Sequence, residues 1–444
     1  MSESIRFTRD IPVRHDVDVF VAGGGPAGVA AAAVAARQGR SVFLAEGHSC
    51  LGGMGTAGLV PAFMKFGDGV NFLAAGVGEE LLDRLLAAGG VGPAYDPARR
   101  ARTSICINAE TLKRVYDEFV TEAGVNFALH TNLIAVDAEA GHVRSAICAA
   151  KSGLFAVRAR VYIDGTGDGD LATWAGAPFE KGDAQGTMMP GTLCSLWAGV
   201  DWQSVDAGGL GSGGSRLEEA IADGLFSQED HHLPGMWIVG EHTGGGNIGH
   251  AFGVDGTDER SLTEALVHGR KLVLEYERYF KGYLCGFEHM QLMATGSLMG
   301  LRETRRIMGD YVLCLEDFKT RAVFDDEIGR YSYPVDSHPA RPGQDEYARF
   351  MDEWTNLRYG KGESYGVPYR VLLPQGLTNV LVAGRCISCD RAMQGSIRVM
   401  PGCYITGQAC GMAASMAVEQ ATGPRSLDVS QLRRRLVQFG AYLP

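Results

Sequence analysis

Short apolar runs and helix-forming stretches alternate at the beginning of the chain. Residues 17–22 (VDVFVA) and 41–45 (SVFLA) are apolar runs typical of buried strands, and residues 29–37 between them are rich in alanine. Glycines spaced as G-x-G-x-x-G separate the first run from the alanine-rich stretch. This pattern predicts a strand, a tight turn, a helix and a second strand, which together form a βαβ unit.

The same alternation continues to about residue 163 and returns near the C-terminus. A helix is predicted at residues 109–123, where apolar side chains recur at helical spacing. Strands are predicted at residues 125–129, 133–138, 143–149 and 157–163. A further strand at residues 380–383 and a helix at residues 401–419 resume the pattern. The predicted fold class is therefore α/β with a Rossmann-like nucleotide-binding domain.

The middle of the chain has a different character, because it is rich in glycine and holds most of the histidines and tryptophans. Helical spacing there predicts helices at residues 261–280 and 291–308. We therefore expect a discontinuous nucleotide-binding domain, with its first part at residues 1–185 and its C-terminal part at residues 365–444. An inserted substrate or cap domain of mixed α+β structure is expected at residues 186–364.

Composition and charge narrow the classes of function. Hydrophobic residues make up 45% of the 444 residues, which is enough for a large buried core and argues against disorder. The formal net charge is −11 and no block of lysines and arginines occurs, so neither nucleic acid nor a membrane surface is an expected partner. No apolar run approaches the roughly 18 residues of a spanning helix, and no secretory signal is evident, so we expect a cytoplasmic protein.

The motif Gly23-x-Gly25-x-x-Gly28 carries a chemical prediction. In dinucleotide-binding folds the first glycine permits the tight turn, the second lets backbone amides approach a pyrophosphate, and the third lets helix and strand pack closely. Glu46, at the end of the second predicted strand, would accept hydrogen bonds from ribose hydroxyls. The alternative is a glycine turn in another kind of α/β protein.

A second match to the same pattern, Gly244-x-Gly246-x-x-Gly249, serves as a control. Residues 237–239 would supply a strand before it, but residues 251–260 contain two glycines where a phosphate-binding helix would have to run. We reject this match as a dinucleotide site. One credible fingerprint does not support a nicotinamide cofactor with a domain of its own.

Several segments taken together are similar to the FAD-binding motifs of the glutathione-reductase-like flavoprotein superfamily. They are residues 23–28, Glu46 with residues 51–56 (LGGMGT), residues 162–168 (YIDGTGD) and residues 380–386 (VLVAGRC). Residues 300–306 (GLRETRR) and 398–409 (RVMPGCYITGQA) resemble, within it, the bacterial family of FAD-dependent oxidoreductases. The resemblance spans most of the chain and implies an enzyme that binds FAD in an extended pose.

The resemblance also implies roles for the residues that match its motifs. The glycines of the first motif would lie under the pyrophosphate, and Gly402 and Cys403 would lie near flavin O2, where a helix N-terminus stabilises the negative charge of the reduced ring. The predicted cofactor-binding residues are Gly23, Gly25, Pro26, Ala27, Gly28, Glu46, Gly52, Gly53, Met54, Gly55, Thr56, Leu133, Thr166, Gly167, Asp168, Gly384, Arg385, Gly402 and Cys403.

Candidate catalytic residues lie in the middle of the chain. Arg302 and Arg305 would share one face of a helix and hold an anionic or polyhydroxylated substrate, although a solvated or ion-paired face is the alternative. Residues 241–250 match a stretch that lines the substrate side of the flavin in relatives, which adds Asn247. His250 would abstract a hydroxyl or amine proton while flavin N5 accepts hydride, the alternative being a hydrogen-bonded loop histidine.

Cysteines and histidines suggest little further chemistry. Ten cysteines in so long a chain do not form a disulfide framework, and we expect them to be mostly reduced and buried. Cys386 and Cys389 form a C-x-x-C pair that would exchange electrons with a flavin, but two unpaired buried thiols are the favoured interpretation. The histidines between residues 231 and 289 show no ligand spacing, so no metal site is expected.

The leading hypothesis is two-electron dehydrogenation of a C–OH, C–NH or activated C–H bond in a small polar molecule. Electrons would then pass to oxygen, a quinone or a partner protein. One alternative is fumarate-reductase-like reduction of an activated C=C bond, and another is a flavin subunit that transfers electrons within a larger complex. Arg385 stands where many superfamily members have aspartate, which argues against the flavin hydroxylase and disulfide reductase branches.

Overall fold

The computed structural model describes residues 5–6, 8–205, 215–233, 235–354 and 356–444. Its strands are β1 (Val13–Ala22), β2 (Val42–Ala45), β3 (Ala62–Phe63), β4 (Ile105–Cys106), β5 (Asn126–Ala128), β6 (Asn132–Glu139), β7 (His142–Ala150), β8 (Gly153–Asp164), β9 (Phe179–Lys181), β10 (Ser195–Ala198), β11 (Met236–Gly240), β12 (Thr243–Gly246), β13 (Gln291–Thr295), β14 (Arg305–Ile307), β15 (Glu327–Tyr331), β16 (Tyr365–Pro368) and β17 (Val380–Val382). Its helices are α1 (Pro26–Arg37), α2 (Val77–Ala87), α3 (Ala109–Glu122), α4 (Asp170–Trp174), α5 (Ser215–Ala222), α6 (Glu259–Tyr283), α7 (Leu315–Thr320), α8 (Gln344–Trp354), α9 (Arg391–Ile397), α10 (Met400–Glu419) and α11 (Val429–Phe439). The predicted α/β fold class is confirmed.

The largest sheet places the predicted nucleotide motifs side by side. Its strand order is β5-β2-β1-β8-β7-β6, with β17 also paired to β8. The strands β5, β2, β1, β8 and β17 run parallel, while β7 runs antiparallel to both of its neighbours, β8 and β6. Ala22 at the end of β1 lies in register with Ala45 on β2 and with Asp164 on β8. The loops that follow these strands therefore meet at one edge of the sheet, where doubly wound folds bind nucleotides.

Helix α1 packs directly on α10, which explains why both helices are rich in small residues. A Cβ on Gly407 would lie 2.2 Å from the carbonyl oxygen of Ala27, and one on Gly411 would lie 2.3 Å from that of Ala31. A step of four residues along α1 corresponds to a step of four residues along α10 in these contacts. The two helices therefore run in the same direction, and their N-termini face the same end of the molecule. Neither α10 nor any other helix of the described residues has the length and hydropathy of a membrane span.

The middle of the chain forms a second, antiparallel sheet with a core of its own. Strand β10 pairs with β12 and β13, and β11 pairs with β12. Trp197 of β10 and Tyr276 of α6 belong to a hydrophobic cluster separate from the main core. The helix predicted at residues 261–280 is confirmed as α6. The rejection of the second glycine motif is also confirmed, because its first residues form β12 rather than a turn before a helix.

The helix predicted at residues 291–308 is wrong. The beginning of this stretch is β13, which pairs with β10, and its end is β14, which pairs with β9. Between the two strands, a Cβ on Gly296 would lie 2.9 Å from the Gly58 carbonyl oxygen, and one on Gly300 would lie 2.6 Å from that of Thr192. Strand pairing and these close backbone approaches override the helical spacing of the apolar residues.

The domain boundaries at residues 185/186 and 364/365 stay predictions. The main hydrophobic core includes residues from Ile307 to Val335, which it shares with α1 and α10. Strand β15 pairs with β16, so hydrogen bonds cross residue 364. The later part of the predicted insertion therefore packs with the nucleotide-binding side of the molecule.

Candidate active site

The turn after β1 forms a cradle that fits the pyrophosphate of a dinucleotide. Gly25 is the N-cap of α1, no side chain caps this helix, and no acidic residue lies in its first turn. A Cβ on Gly28 would lie 1.9 Å from the Gly23 carbonyl oxygen, whereas one on Gly25 would meet nothing closer than 4.0 Å. Gly28 is therefore required for packing, and Gly25 leaves an open approach to the positive end of α1. Pro26 begins the helix, and Ala27 is buried against α10.

Glu46 lies at the end of β2 beside this cradle and is 6% exposed. The Gly24 amide donates to its Oε2 at 2.6 Å, and the His48 amide donates to its Oε1 at 2.8 Å. These bonds hold the carboxylate in place and leave lone pairs for ribose hydroxyls. The Thr131 amide donates to the Glu46 carbonyl, which brings Leu133 at the start of β6 to the same edge of the sheet.

The loop after β8 is organised by the fully buried Asp164. The backbone amides of Thr166 and Ala172 and the hydroxyl of Thr166 donate to its carboxylate. Burial raises the pKa of Asp164 to about 6 despite these bonds. Gly23 packs against this loop, because a Cβ on Gly23 would lie 2.8 Å from the Cα of Thr166. Thr166 and Gly167 therefore border the cradle.

Arg385 joins the loop after β8 to the inserted region. Its Nε donates to the Gly167 carbonyl at 2.9 Å, its Nη1 to the Leu301 carbonyl at 2.7 Å and its Nη2 to Asp168 Oδ1 at 2.5 Å. The Arg385 side chain is largely buried. The guanidinium is thus engaged with protein oxygens, and a direct contact of Arg385 or Asp168 with FAD stays a prediction. Gly384 lies beside Ala27 and Cys403 in the same region.

The N-terminus of α10 resembles that of α1, because it has neither a side-chain cap nor an acidic residue in its first turn, whereas the uncapped starts of α2 and α4 carry acidic residues. Its N-cap residue is Val399, and its first turn contains Gly402 and Cys403 but no acidic residue. Other helices are capped by side-chain oxygens of Asn108, Asp258, Asp390 and Asp428. α1 and α10 therefore both present backbone N–H groups to an anionic ligand. This arrangement fits a dinucleotide whose charged groups lie at the two helix ends.

The loop at residues 52–58 connects the cradle, α10 and the inserted region. The Gly52 amide donates to the Gly24 carbonyl at 2.8 Å. A Cβ on Gly55 would lie 2.6 Å from the sulfur of Met400, at the start of α10. The Ser297 amide donates to the Ala57 carbonyl at 2.9 Å. The predicted cofactor residues at positions 52–56 are thus brought alongside both uncapped helix ends.

Side chains from distant parts of the chain form what we call the histidine cluster, which consists of Asp230, His232, His250, Asp336 and His338. Nδ1 of His250 lies 3.2 Å from Asp230 Oδ1, and its Nε2 lies 3.0 Å from Nδ1 of His338. Nε2 of His338 lies 3.5 Å from Asp336 Oδ1. The ring of His232 stacks on that of His250 with centroids 5.2 Å apart. Asp230, His250 and His338 are buried, His232 is partly buried, and the Asp336 side chain is about one third exposed.

Burial controls the charge state of the histidine cluster. Burial is the largest of the causes that lower the pKa of His232 to about 3, and the neighbouring His250 and Arg302 act in the same direction. Burial and then Arg302 lower the pKa of His338 well below its ordinary value. Burial alone would raise the pKa of Asp336, but His338 and nearby guanidiniums outweigh it and hold that pKa well below its usual range. His232 and His338 are therefore neutral beside an ionised carboxylate at neutral pH.

Arg302 borders the histidine cluster on the side of the inserted sheet. Its Nη1 donates to the Pro190 carbonyl at 2.9 Å and to Thr192 Oγ1 at 2.8 Å. Its Nη2 lies 3.5 Å from Asn247 Oδ1. Burial and then the neighbouring Arg398 lower the pKa of Arg302 to about 10, so Arg302 keeps its positive charge at neutral pH.

Arg398 connects the histidine cluster to α10. Its Nη1 donates to the Arg302 carbonyl at 2.9 Å, and its Nη2 donates to the Asp336 carbonyl at 2.8 Å. Helix α10 begins two residues later, and Cys403 Sγ donates to the Arg398 carbonyl. The histidine cluster, whose residues all belong to the inserted region, therefore lies near the N-terminus of α10.

The structure brings together three of the four predicted catalytic residues, namely Asn247, His250 and Arg302. Arg305 lies elsewhere, because its Nη1 donates to the Asp168 carbonyl and to Asp170 Oδ1. The prediction that Arg302 and Arg305 share a helix face is wrong, since Arg302 lies in a loop and Arg305 begins β14. His250 is 1% exposed with a partner at each ring nitrogen, which favours a positioning role over that of a free base.

The prediction of free and mostly buried cysteines is confirmed. Cys386 and Cys389 are both buried, and burial raises the pKa of each thiol well above its ordinary value. Neither thiol is therefore poised as a thiolate, which agrees with the favoured interpretation of the C-x-x-C pair.

Sequence reasoning missed Asp230, Asp336, His338 and Arg398, and it dismissed His232. The expectation of no metal site rested on spacing along the chain, and the histidine cluster is built from residues that are remote in sequence. Arg398 could have been predicted from the sequence, because it begins the segment 398–409 that resembles the FAD-dependent oxidoreductases and contains the start of α10. The other residues carried none beyond the proximity of Asp336 and His338 in the sequence.

The parallel sheet, the cradle and the uncapped helix ends define a dinucleotide-binding fold. The model of the family described as FAD dependent oxidoreductase matches residues 18–436, and the chain belongs to that family. It is accordingly an oxidoreductase that uses FAD, which confirms the predicted enzyme class and cofactor. Its place in the glutathione-reductase-like superfamily stays an expectation.

Solved flavoprotein structures overlap the chain over most of its length but only loosely. A geranylgeranyl bacteriochlorophyll reductase-like protein of Thermoplasma acidophilum is 14% identical, with 96% of this chain and 83% of that chain covered and a TM-score of 0.46. The p-nitrophenol 4-monooxygenase PnpA of Pseudomonas putida is also 14% identical, with 96% and 87% covered and a TM-score of 0.45. The myxobacterial chondrochloren halogenase CndH is 11% identical, with 95% and 78% covered and a TM-score of 0.46. Similarity this low does not define a reaction. No curated protein sequence matches the chain.

Proposed function

We propose that the enzyme oxidises a C–OH, C–NH or activated C–H bond of a small polar substrate that carries an anionic group. When bound, FAD supplies the hydride acceptor at N5 of its flavin ring. One observation carries the proposal: the N-terminus of α10, the loop at residues 52–58 and Arg302 converge on one region of the fold. Electrons would then pass to oxygen, a quinone or a partner protein.

Arg302 is the proposed substrate anchor. Its Nη1 is held by Pro190 and Thr192, which fixes the plane of the guanidinium. Among the described residues, its Nη2 has only the long 3.5 Å contact to Asn247. A carboxylate of the substrate would accept a stronger, charge-assisted hydrogen bond from Nη2. The amide of Asn247 would remain within reach of a neighbouring hydroxyl or amine of the substrate.

The proton lost from the substrate O–H or N–H also needs a group that accepts it or stabilises the remaining charge. Asp230 orients His250, as carboxylates orient catalytic histidines, but Nε2 of His250 faces His338 at 3.0 Å. We therefore assign this role to His250 and His338 together rather than to His250 alone.

Reduction of an activated C=C bond would need two guanidinium groups that bind the carboxylates of a substrate. Arg302 and Arg398 are neighbours, but both terminal nitrogens of Arg398 donate to backbone carbonyls of Arg302 and Asp336. A single free anchor favours oxidation of a substrate with one anionic group. The alternative of an electron-transferring subunit makes a different prediction, because such a subunit need not turn over a substrate on its own. Turnover by the isolated chain would argue against it.

Anaerobic photometry tests the proposal. Hydroxy acids, amino acids, amines and sugars are mixed in turn with the purified enzyme, and loss of the oxidised flavin band at about 450 nm is recorded. We expect bleaching by an anionic class, such as 2-hydroxy or 2-amino acids, and no bleaching by the corresponding amides. Reoxidation of the dithionite-reduced enzyme by an unsaturated dicarboxylate, without bleaching by any of these donors, would favour the reductase alternative instead.

A further inference from the structure

We propose that His232, His250 and His338 bind a divalent transition metal ion, Zn²⁺ or Fe²⁺, and leave a position open for an oxygen ligand. A ring nitrogen of each histidine lies within 4.8 Å of the others. His250 and His338 are buried, and His232 is largely so. The existence of this site does not depend on the proposed function, and it departs from the sequence-based expectation of no metal. With an ion bound, the free ring nitrogens of His250 and His338 would be occupied, so the oxygen ligand of the ion, rather than these two histidines, would take the proton of the proposed oxidation.

Two of the three rings are oriented by carboxylates. Nδ1 of His250 faces Asp230 at 3.2 Å, and Nε2 of His338 faces Asp336 at 3.5 Å. An ionised carboxylate only accepts hydrogen bonds, so these two nitrogens carry the N–H groups. When both rings are neutral, as in metal-binding histidines, the remaining nitrogens, Nε2 of His250 and Nδ1 of His338, direct their lone pairs at each other across 3.0 Å. A metal ion bound by both nitrogens turns this repulsion into coordination.

His232 supplies the third nitrogen. Its Nδ1 is buried and has no hydrogen-bond partner among the described residues. Its ring stacks on His250 and meets the edge of His338, with centroid distances of 5.2 and 4.8 Å. A buried polar nitrogen without a partner is uncommon in folded proteins, and coordination would satisfy it.

The contacts of His250 and His338 with carboxylates are typical of metal-binding histidines. Such a histidine commonly donates its second N–H to a carboxylate, which holds the ring and raises its basicity, as Asp230 and Asp336 would do here. Metal–nitrogen bonds of about 2.0–2.1 Å in a tetrahedral site place ligand nitrogens about 3.3 Å apart. His250 and His338 are already near that separation, and His232 would move toward them.

The donor set and its surroundings indicate the ion and its fourth ligand. Three neutral imidazoles suit Zn²⁺ and Fe²⁺ better than Mg²⁺ or Ca²⁺, which prefer oxygen. Asp230 and Asp336 offset the charges of Arg302 and Arg398, so a bound dication leaves the region positive. An anionic oxygen would neutralise it, and identifying that oxygen with the substrate's carboxylate or hydroxyl rests on the proposed function.

Metal content and cobalt spectroscopy of the FAD-loaded, tag-free protein test the site without turnover. The protein is exposed to Zn²⁺, Co²⁺ or anaerobic Fe²⁺ and then freed of loosely bound ions by gel filtration. We expect about one ion per chain for a single three-histidine site, and visible Co²⁺ bands at longer wavelength than the flavin absorption. His232→Gln should weaken Co²⁺ binding by at least roughly tenfold, whereas His242→Gln, at an exposed histidine outside the cluster, should not change it.

The proposal is overturned if no ion remains bound after exposure to all three metals, or if His232→Gln and His242→Gln retain equal amounts. Should His232→Gln fail to fold, Asp230→Asn replaces it. That variant removes the carboxylate beside His250 and should weaken Co²⁺ binding by about 10- to 100-fold. Unchanged binding in a folded Asp230→Asn variant would also overturn the proposal. Because binding is measured directly, its failure is distinct from failure of the substrate screen.

Discussion

The nucleotide cradle and the histidine cluster are built from different parts of the chain's chemistry. The cradle is made of backbone, because Gly25 leaves the N-terminus of α1 open and Gly28 lets the helix pack against the turn. The histidine cluster is made of side chains, and the contact between His250 and His338 joins residues that are 88 positions apart in the sequence. A site built from backbone geometry depends on the absence of side-chain atoms, such as the Cβ that glycine lacks. One built from side chains depends on the exact group that is present.

The two regions also differ in their electrostatics. The cradle has no charged side chain in the first turn of α1, so its positive potential comes from unpaired N–H groups. The histidine cluster instead balances Asp230 and Asp336 against Arg302 and Arg398. Substitutions that add volume should therefore affect the cradle most, and substitutions that change a functional group should affect the histidine cluster most.

The largest effect is expected from Gly25→Ala in the cradle. The added methyl meets no protein atom closer than 4.0 Å, so the fold should remain intact, but it lies where the pyrophosphate must approach the helix. We expect FAD affinity to fall by roughly 100-fold, with the melting temperature of the apoprotein changed by less than about 2 °C. Flavin fluorescence titration and thermal denaturation measure both quantities.

Gly28→Ala is the matched comparison. Its methyl would lie 1.9 Å from the Gly23 carbonyl oxygen, so this variant should lose folding stability as well as FAD. Equal behaviour of the two variants would contradict the distinction between an open and a packed glycine.

Arg302→Lys should have the next largest effect. Lysine keeps the charge but loses the planar fork held by Pro190 and Thr192, so kcat/KM for an anionic substrate should fall by about 100-fold, or about 2.7 kcal/mol. FAD content should not change. Arg305→Lys is the control, because Arg305 pairs with Asp170 away from the histidine cluster, and its kcat/KM should change by less than about threefold. A comparable loss in both variants would remove Arg302 from the role of anchor.

The same contrast explains what the sequence could predict. The cradle, Glu46 and the start of α10 lie in short segments where glycine spacing and strand-helix alternation report backbone geometry directly. The histidine cluster depends on how the inserted sheet packs beside α10, which no local spacing encodes. The error at residues 291–308 has the same origin, because pairing of β13 with β10 decides its structure.

A smaller effect on FAD affinity is expected from Glu46→Gln, which tests the role of the Glu46 carboxylate in the cradle. The amide keeps one acceptor oxygen, so the bond to the Gly24 or the His48 amide is lost and the charge-assisted contact to the ribose is weakened. We expect about a tenfold loss of FAD affinity. Glu139→Gln, an exposed change at the end of β6, should leave the affinity unchanged.

The smallest effect is expected from Cys389→Ser. The thiol is buried with a raised pKa and is not a poised nucleophile, so the rate of flavin reduction by substrate should change by less than about twofold. Stopped-flow absorbance under anaerobic conditions measures this rate. A tenfold slower reduction would show that the C-x-x-C pair takes part in electron transfer.

The structure of the FAD-bound enzyme tests most directly whether the two regions serve one cofactor. We predict the pyrophosphate at Gly25 and the flavin ring between the N-terminus of α10 and Arg302. A ring that is separated from Arg302 and the histidine cluster by the loop at residues 52–58 would contradict this prediction, even if the adenine end occupied the cradle.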